Sequence, residues 1–202
     1  SLAERMLFSR AGVDSATFSQ GFAKKDDFDK LTRTFKELAK ANIYIDASPA
    51  QTAGQIAAKA RRMAKQHGIK LFVLDYIQLL DTDDDKLRND RVRELTKISK
   101  AIVSLKKQLK IPWLVLAQMN RNIEQSEAKR VPVLSDLKDC GAIEQDADVV
   151  MFLYRDEVYH QDTPDKAMAE LIIAKHRAGP TGTVRLVFRG PYTKFDNAAR
   201  SV

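Results

Sequence analysis

Cysteine is nearly absent from this 202-residue chain: Cys140 is the only one. No disulfide can close within the chain and no cysteine-based zinc site can be assembled, which fits a reducing compartment. Long apolar runs are missing too. The longest, centred on Leu71 to Leu74, falls far short of the roughly 20 residues that cross a bilayer, and no basic leader precedes an apolar segment. A cytoplasmic protein without a membrane partner is the expectation. Internal repeats and low-complexity tracts are absent. The acidic run Asp83-Asp84-Asp85 lacks the spacing of a calcium loop and reads as a polar loop. None of the eight glycines begins a Gly-x-x-x-x-Gly-Lys-Ser/Thr loop. No segment of this chain therefore wraps nucleotide phosphates, and the chain alone should not hydrolyse ATP efficiently. Its first residue is Ser1 rather than methionine, which suits a processed start or excision from a longer chain.

What is present suits one domain, or most of one. With 44% hydrophobic residues the chain can bury a sizeable core. Lysine and arginine total 34 against 27 aspartates and glutamates, a net charge of +7. That surplus attracts polyanions through screened electrostatics, and it does not distinguish DNA, RNA or an anionic surface.

Apolar side chains recur at helical spacing over residues 3–10 and 27–39, the second including Leu31, Phe35 and Leu38 behind Asp26 and Asp27. Ile43-Tyr44-Ile45-Asp46 reads as a short strand. Thr52-Ala53-Gly54-Gln55 has the capping-box pattern, so 53–67 is predicted helical with Gly68 closing it. Ile56, Ala60, Met63 and Ala64 form its apolar face, and Lys59, Arg61, Arg62 and Lys65 mostly face water. Leu71-Phe72-Val73-Leu74-Asp75 and Trp113-Leu114-Val115-Leu116-Ala117 read as parallel strands buried on both faces. Between them, a helix over about 90–109 aligns Val92, Leu95, Ile98, Ile102, Leu105 and Leu109 and stops before Pro112. This βαβ unit predicts an α/β fold with a mostly parallel sheet and covering helices. Strands over 148–154, 169–175 and 183–188 follow, the last two forming a C-terminal β-hairpin around Gly179-Pro180-Thr181-Gly182.

Three features bear on chemistry. Asp75 ends a strand at the carboxyl edge of the sheet, where it either orients a magnesium-bound water or caps the following turn. Gln118 sits just past the neighbouring strand, where its amide either senses a terminal phosphate or, with Asn120, satisfies loop backbone. Lys175 and Arg177 leave one face of a strand end. They clamp a phosphate or are ordinary exposed hairpin residues.

The stretch Ser135-Asp136-Leu137-Lys138-Asp139-Cys140-Gly141-Ala142-Ile143-Glu144-Gln145-Asp146-Ala147-Asp148 closely resembles the loop-and-helix signature of the DnaB-type replicative helicases. Leu74-Asp75-Tyr76-Ile77-Gln78-Leu79-Leu80, Ala117-Gln118-Met119-Asn120-Arg121 and Phe152-Leu153-Tyr154-Arg155-Asp156-Glu157 resemble family motifs in family order. The resemblance covers nearly the whole chain. It implies that residues 1–202 are a partial RecA-like motor domain, with a helical lead-in over 1–42 and a sheet core with DNA-binding loops and a trans-acting finger over 43–202. The activity it implies is an ATP-dependent DNA helicase, a homo-hexameric ring moving 5′ to 3′ on single-stranded DNA.

Carried over by position, the resemblance makes Asp75 the carboxylate that holds Mg2+ through water and Gln118 the sensor of the ATP γ-phosphate. Lys175 and Arg177, within Lys175-His176-Arg177-Ala178-Gly179-Pro180, would complete a neighbouring subunit's site, so a monomer should be inactive. Arg121, Lys138, Asp139 and Gly141 would meet DNA. Lys138 stands where the family usually has arginine, which keeps the charge and loses a bidentate contact. Cys140 stands for a usual serine. The family's P-loop and water-activating glutamate precede the residues that match Ser1 to Arg10, and its primase-binding collar is absent from this chain. Primase and a helicase loader are the further implied partners. The alternative from another class is a non-hydrolysing single-stranded DNA-binding or ring-interaction module, whose DNA binding would be indifferent to ATP.

Overall fold

The computed structural model describes residues 1–49, 51–81, 90–119 and 130–198. The chain divides into two compact units, one formed by Ser1–Asp46, Phe152–Ile172 and Gly182–Val202, the other by Ala47–Met151 and Ile173–Thr181. Asp83-Asp84-Asp85, Asn120 and Arg121 lie outside the described residues, as do the side chains of Lys138, Asp139 and Cys140.

The second unit is built on the βαβ pattern. Helix α4 (Ala53–His67) starts at the expected box: the Gln55 amide donates to Thr52 Oγ1 at 3.3 Å and the Thr52 amide to Gln55 Oε1 at 3.0 Å. It stops at Gly68, whose φ of 61° is left-handed and cheap only for glycine. Strand β1 (Phe72–Leu74) pairs in parallel with β2 (Trp113–Val115), Val73 opposite Leu114, and Phe72 stacks on Trp113 with ring centroids 4.6 Å apart. Between them α5 (Arg91–Leu109) supplies the core through Leu95, Ile98, Ile102 and Leu105. Arg61 of α4 donates twice to Gln108 Oε1, which ties the two helices at their surface.

Four expectations are corrected in the two units, one of them at Phe35. Val92 is 51% exposed although its spacing assigns it to the α5 stripe. At about 100° per residue the buried set centres between Ile98 and Ile102, and Glu94 lies nearer that centre than Val92 does. Val73 and Leu114 are exposed, so β1 and β2 are covered on one face rather than two; an apolar run states what a strand can bury, not what covers it. Ile43 to Asp46 is no strand, because residues 42–48 carry no regular structure, and β-branched side chains favour extended chain mainly through a ladder.

In the first unit, α1 (Leu2–Ala11), α2 (Ser15–Ser19) and α3 (Lys25–Leu38) meet through Phe8, Phe18 and Phe28, whose successive ring centroids are 5.3 and 5.2 Å apart. Leu31 and Thr34 are the buried side of α3, and Phe35 points outward, although its spacing assigns it to the apolar stripe. A four-stranded sheet has the order β3 (Val149–Tyr154), β4 (Met168–His176), β5 (Gly182–Arg189), β6 (Lys194–Asn197). β6 is antiparallel to β5 and extends the hairpin beyond what the sequence pattern indicates. β3 buries Val150, Phe152 and Tyr154 and exposes Val149, Met151 and Leu153.

The motif Phe152 to Glu157 is largely scaffold. Asp156 accepts from Tyr154 Oη at 2.8 Å and lies 2.8 Å from His160 Nδ1; hydrogen bonds from Thr163, His160 and Tyr154 hold its carboxyl down to about 2. Arg155 pairs with Glu157 and lies 3.7 Å over the Phe188 ring. Burial, then the Asp156 carboxylate, pushes the Tyr154 hydroxyl up to about 12.

Replacing Ile98, which is 1% exposed, by alanine should cost about 2–5 kcal/mol through lost transfer energy and a cavity. Val73→Ala, on an open face, should cost no more than about 0.5 kcal/mol. Urea unfolding of the two variants measures both; equal losses would show that the core is not centred on α5.

Candidate functional site

The first cluster lies where β1 and β2 end. Beyond the paired residues the ladder continues, the Leu116 amide donating to the Leu74 carbonyl and the Ile77 amide to the Leu116 carbonyl, each at 2.9 Å. Asp75 and Gln118 therefore emerge at the carboxyl ends of adjacent parallel strands, both exposed, and the Asp75–Tyr76 peptide is cis. Gln78 locks the edge. Its Nε2 donates to the Gln118 carbonyl at 2.9 Å and its Oε1 accepts from the Gln118 amide at 3.1 Å. Gln78 thus satisfies both main-chain groups of Gln118, so the Gln118 side chain springs from a fixed main chain. Arg91 at the start of α5 donates to the carbonyls of Gln78 and Leu80 and pairs with the buried carboxylate of Glu94. Gln78 stands inside a motif quoted above, but its partner lies 40 residues away, so no local signal marks its role.

The second cluster surrounds the basic pair. Helix α6 (Gly141–Asp146) ends with carbonyls that no further turn can satisfy. Lys175 Nζ donates to the carbonyls of Glu144 at 2.5 Å and Gln145 at 3.2 Å, and Arg177 Nη2 donates to that of Gln145 at 2.6 Å. The two side chains meet at one acceptor, the Gln145 carbonyl. Asp148 joins them: its carbonyl accepts from the Arg177 amide at 2.9 Å, its Oδ1 from Arg177 Nη1 at 3.4 Å, and its Oδ2 from Lys106 Nζ on α5 at 2.6 Å. The Lys106 ammonium foremost, then Arg177 and Lys175, hold the Asp148 carboxyl below the usual range against its desolvation. Ser99, buried on α5, donates to Asp146 Oδ2 at 2.7 Å. A Cβ at Gly179 would sit 2.5 Å from Cε1 of the exposed His176 ring, which would have to turn aside.

The third cluster is the foot of the loop that carries Lys138, Asp139 and Gly141. Leu134–Cys140 forms 3-10 turns with a kink at Leu137. Asp136 accepts from both Arg130 Nη atoms at 2.8 and 2.7 Å and from the Val133 amide at 2.7 Å, and its side chain is only 7% exposed. Arg130 holds the Asp136 carboxyl below its ordinary range, helped by the Val133 amide and opposed by burial. Gly141 has φ −53° and ψ −30°, ordinary helical values, and a Cβ there would meet nothing within 4 Å.

Among the described residues no group of three or more His, Cys, Asp or Glu could hold a metal ion by itself. A lone exposed Asp75 fits a cation held through water and substrate phosphates, the usual manner of magnesium. Also among the described residues, no helix is long and apolar enough to cross a membrane.

The chain as a whole is similar to known proteins. A family model described as "DnaB-like helicase C terminal domain" matches residues 1–197. Replicative DNA helicase DnaB of Geobacillus stearothermophilus is 39% identical over 199 residues, 98% of this chain and 43% of that protein. The chain thus spans less than half the length of that relative. A solved structure described as an ATPase domain superposes with a TM-score of 0.89 at 33% identity, covering 97% of this chain and 69% of that one. Another, of a DnaB-like replicative helicase studied for its interactions with primase, gives 0.88 at 34% identity over 96% and 47%. The fold is therefore α/β of the RecA-like kind, with parallel and antiparallel strands and covering helices.

The Asp136 pair has a signed pH dependence. Its depressed carboxyl contributes stability that is complete above the ordinary aspartate value of about 4 and is lost as pH falls through the folded value. In Arg130→Ala the Asp136 carboxyl, followed by NMR, should titrate higher and the acid-limb loss of stability should shrink. An unmoved titration would mean that Arg130 does not anchor the loop.

Proposed function

The chain belongs to the family of DnaB-like helicase C-terminal domains, and we propose that it forms the motor part of an ATP-dependent replicative DNA helicase, a homo-hexameric ring that moves 5′ to 3′ on single-stranded DNA. The observation that carries the reading is the strand-tip edge, with Asp75 and Gln118 side by side at the carboxyl ends of β1 and β2 and locked by Gln78. Ligands of open α/β sheets bind at that edge.

At the edge, Asp75 would hold Mg2+ through water, and the ion neutralises charge on the ATP phosphates. Gln118 donates its amide to the terminal phosphate, so its position reports whether that phosphate is present. Lys175 and Arg177 serve the nucleotide of the adjacent subunit, where positive charge stabilises the dispersed negative charge of phosphoryl transfer. Arg177 still has N–H donors to spare, because five are available and its contacts with Asp148 and Gln145 engage one N–H each of Nη1 and Nη2. No P-loop sequence occurs in this chain, so hydrolysis belongs to the whole protein.

Arg121, Lys138 and the amides around Gly141 hold DNA phosphates without regard to sequence, as a translocating motor requires. Asp139 orients a basic neighbour or accepts from a base. Primase and a loader are partners of the whole protein, the former in keeping with the relative solved for its interactions with primase. Cytoplasmic placement follows from the same reading. The second reading, a DNA-binding or ring-interaction module without hydrolysis, draws on the absent P-loop sequence and expects DNA binding indifferent to ATP.

In the full-length protein, Arg177→Ala should abolish ATP hydrolysis and spare nucleotide binding; loss of binding would assign Arg177 a structural role. Lys138→Ala should weaken single-stranded DNA binding and flatten its salt dependence by about one counterion. An unchanged salt slope would remove Lys138 from the interface. DNA affinity that ignores ATP, with no hydrolysis in the full-length protein, would favour the second reading.

A further inference from the structure

The residues from Glu144 to Asp148 are held from two sides, and neither anchor is visible from their own sequence. From α5, Ser99 grips Asp146 at 2.7 Å and Lys106 grips Asp148 Oδ2 at 2.6 Å. From the end of β4, Lys175 and Arg177 take the carbonyls of Glu144 and Gln145. The remaining oxygen of Asp148 faces Arg177 Nη1 at 3.4 Å. Asp148 and Arg177 are about half exposed, so their ion pair adds little stability. What the arrangement sets is direction: Lys106 orients the carboxylate, and the carboxylate orients the guanidinium.

We propose that Asp148 is the positioning residue of Arg177, aligned by Lys106, and that the segment Glu144–Asp148 is a rigid seat from which the basic pair is presented to the neighbouring subunit's nucleotide. This rests on the reading of Lys175 and Arg177 as acting in trans. The 3.4 Å contact aligns without immobilising, and the Arg177 main chain is pinned separately by the Asp148 carbonyl at 2.9 Å. Removing the carboxylate therefore leaves the strand end in place and leaves the guanidinium one anchor, the Gln145 carbonyl at 2.6 Å, about which it can turn. Misplacing a charge that must meet a transition state lowers turnover more than it lowers ground-state binding.

The test compares Asp148→Ala, Asp148→Asn, Lys106→Ala and Arg177→Ala in the full-length protein, reading kcat and KM for ATP, nucleotide binding and thermal unfolding. The expected result is kcat about tenfold to a hundredfold lower in Asp148→Ala, with KM, nucleotide binding and Tm near wild type. Asp148→Asn, which keeps an acceptor oxygen for Arg177, recovers most of the turnover, and Lys106→Ala falls between. Wild-type kcat in Asp148→Ala alongside an inert Arg177→Ala would overturn the positioning role and leave the reading of the pair standing. Equal impairment of Asp148→Ala and Asp148→Asn, in step with a lowered Tm, would make Asp148 structural and overturn the proposal. Full hydrolysis in Arg177→Ala would overturn the trans reading and this inference with it.

Discussion

A helix that stops leaves carbonyl oxygens without donors, and at α6 that need is met by two cations from a distant strand end. Ala147 still donates to Ile143, and the next two carbonyls, of Glu144 and Gln145, go to Lys175 and Arg177. Cations at a helix C-terminus are favoured by the dipole as well as by the hydrogen bonds. The placement of the basic pair thus follows from the geometry of α6, and α6 in turn begins at Gly141, next to the loop proposed to meet DNA. The carbonyls that hold the pair lie three and four residues along that helix from Gly141, a rise of about 5–6 Å.

The strand-tip edge depends on a second long-range constraint of the same kind. Parallel pairing brings Asp75 and Gln118 to one edge, and the Gln78 amide fixes their relation by bonding both main-chain groups of Gln118. Both clusters use polar side chains to satisfy backbone that regular structure leaves unmet: at the edge Gln78 holds Gln118, and at α6 the basic pair does so itself.

Local patterns are enough to read α4, from the Thr52 box to Gly68, and most of α5, because capping and helical periodicity act within a few residues. The strands around Leu74 and Val115 are legible as apolar runs. Whether Val73 and Leu114 are covered is not, since burial depends on what packs against them. Ile43 to Asp46 has strand-like residues without strand structure for a similar reason. In the candidate site, Asp75, Gln118, Lys175 and Arg177 are legible by type and position. The partnerships of Gln78, of Arg130 with Asp136, and of Asp148 with Lys106 are not. Gln78 and Lys106 bond groups about 40 residues away, while Asp136 binds an amide at a turn entry that starts from Val133, a residue with no capping group of its own.

The central claim is that each nucleotide site is completed by two subunits, Asp75 from one and Arg177 from the next. Mixed rings test it most directly: full-length Arg177→Ala subunits, inert alone, are combined with Asp75→Asn subunits, also inert alone, and ATP hydrolysis is measured. Where an Arg177→Ala subunit meets an Asp75→Asn neighbour in the proper order, an intact Asp75 faces an intact Arg177, so the account expects the mixture to regain hydrolysis. A mixture as inert as its parents, with rings shown to contain both kinds of subunit, would contradict it.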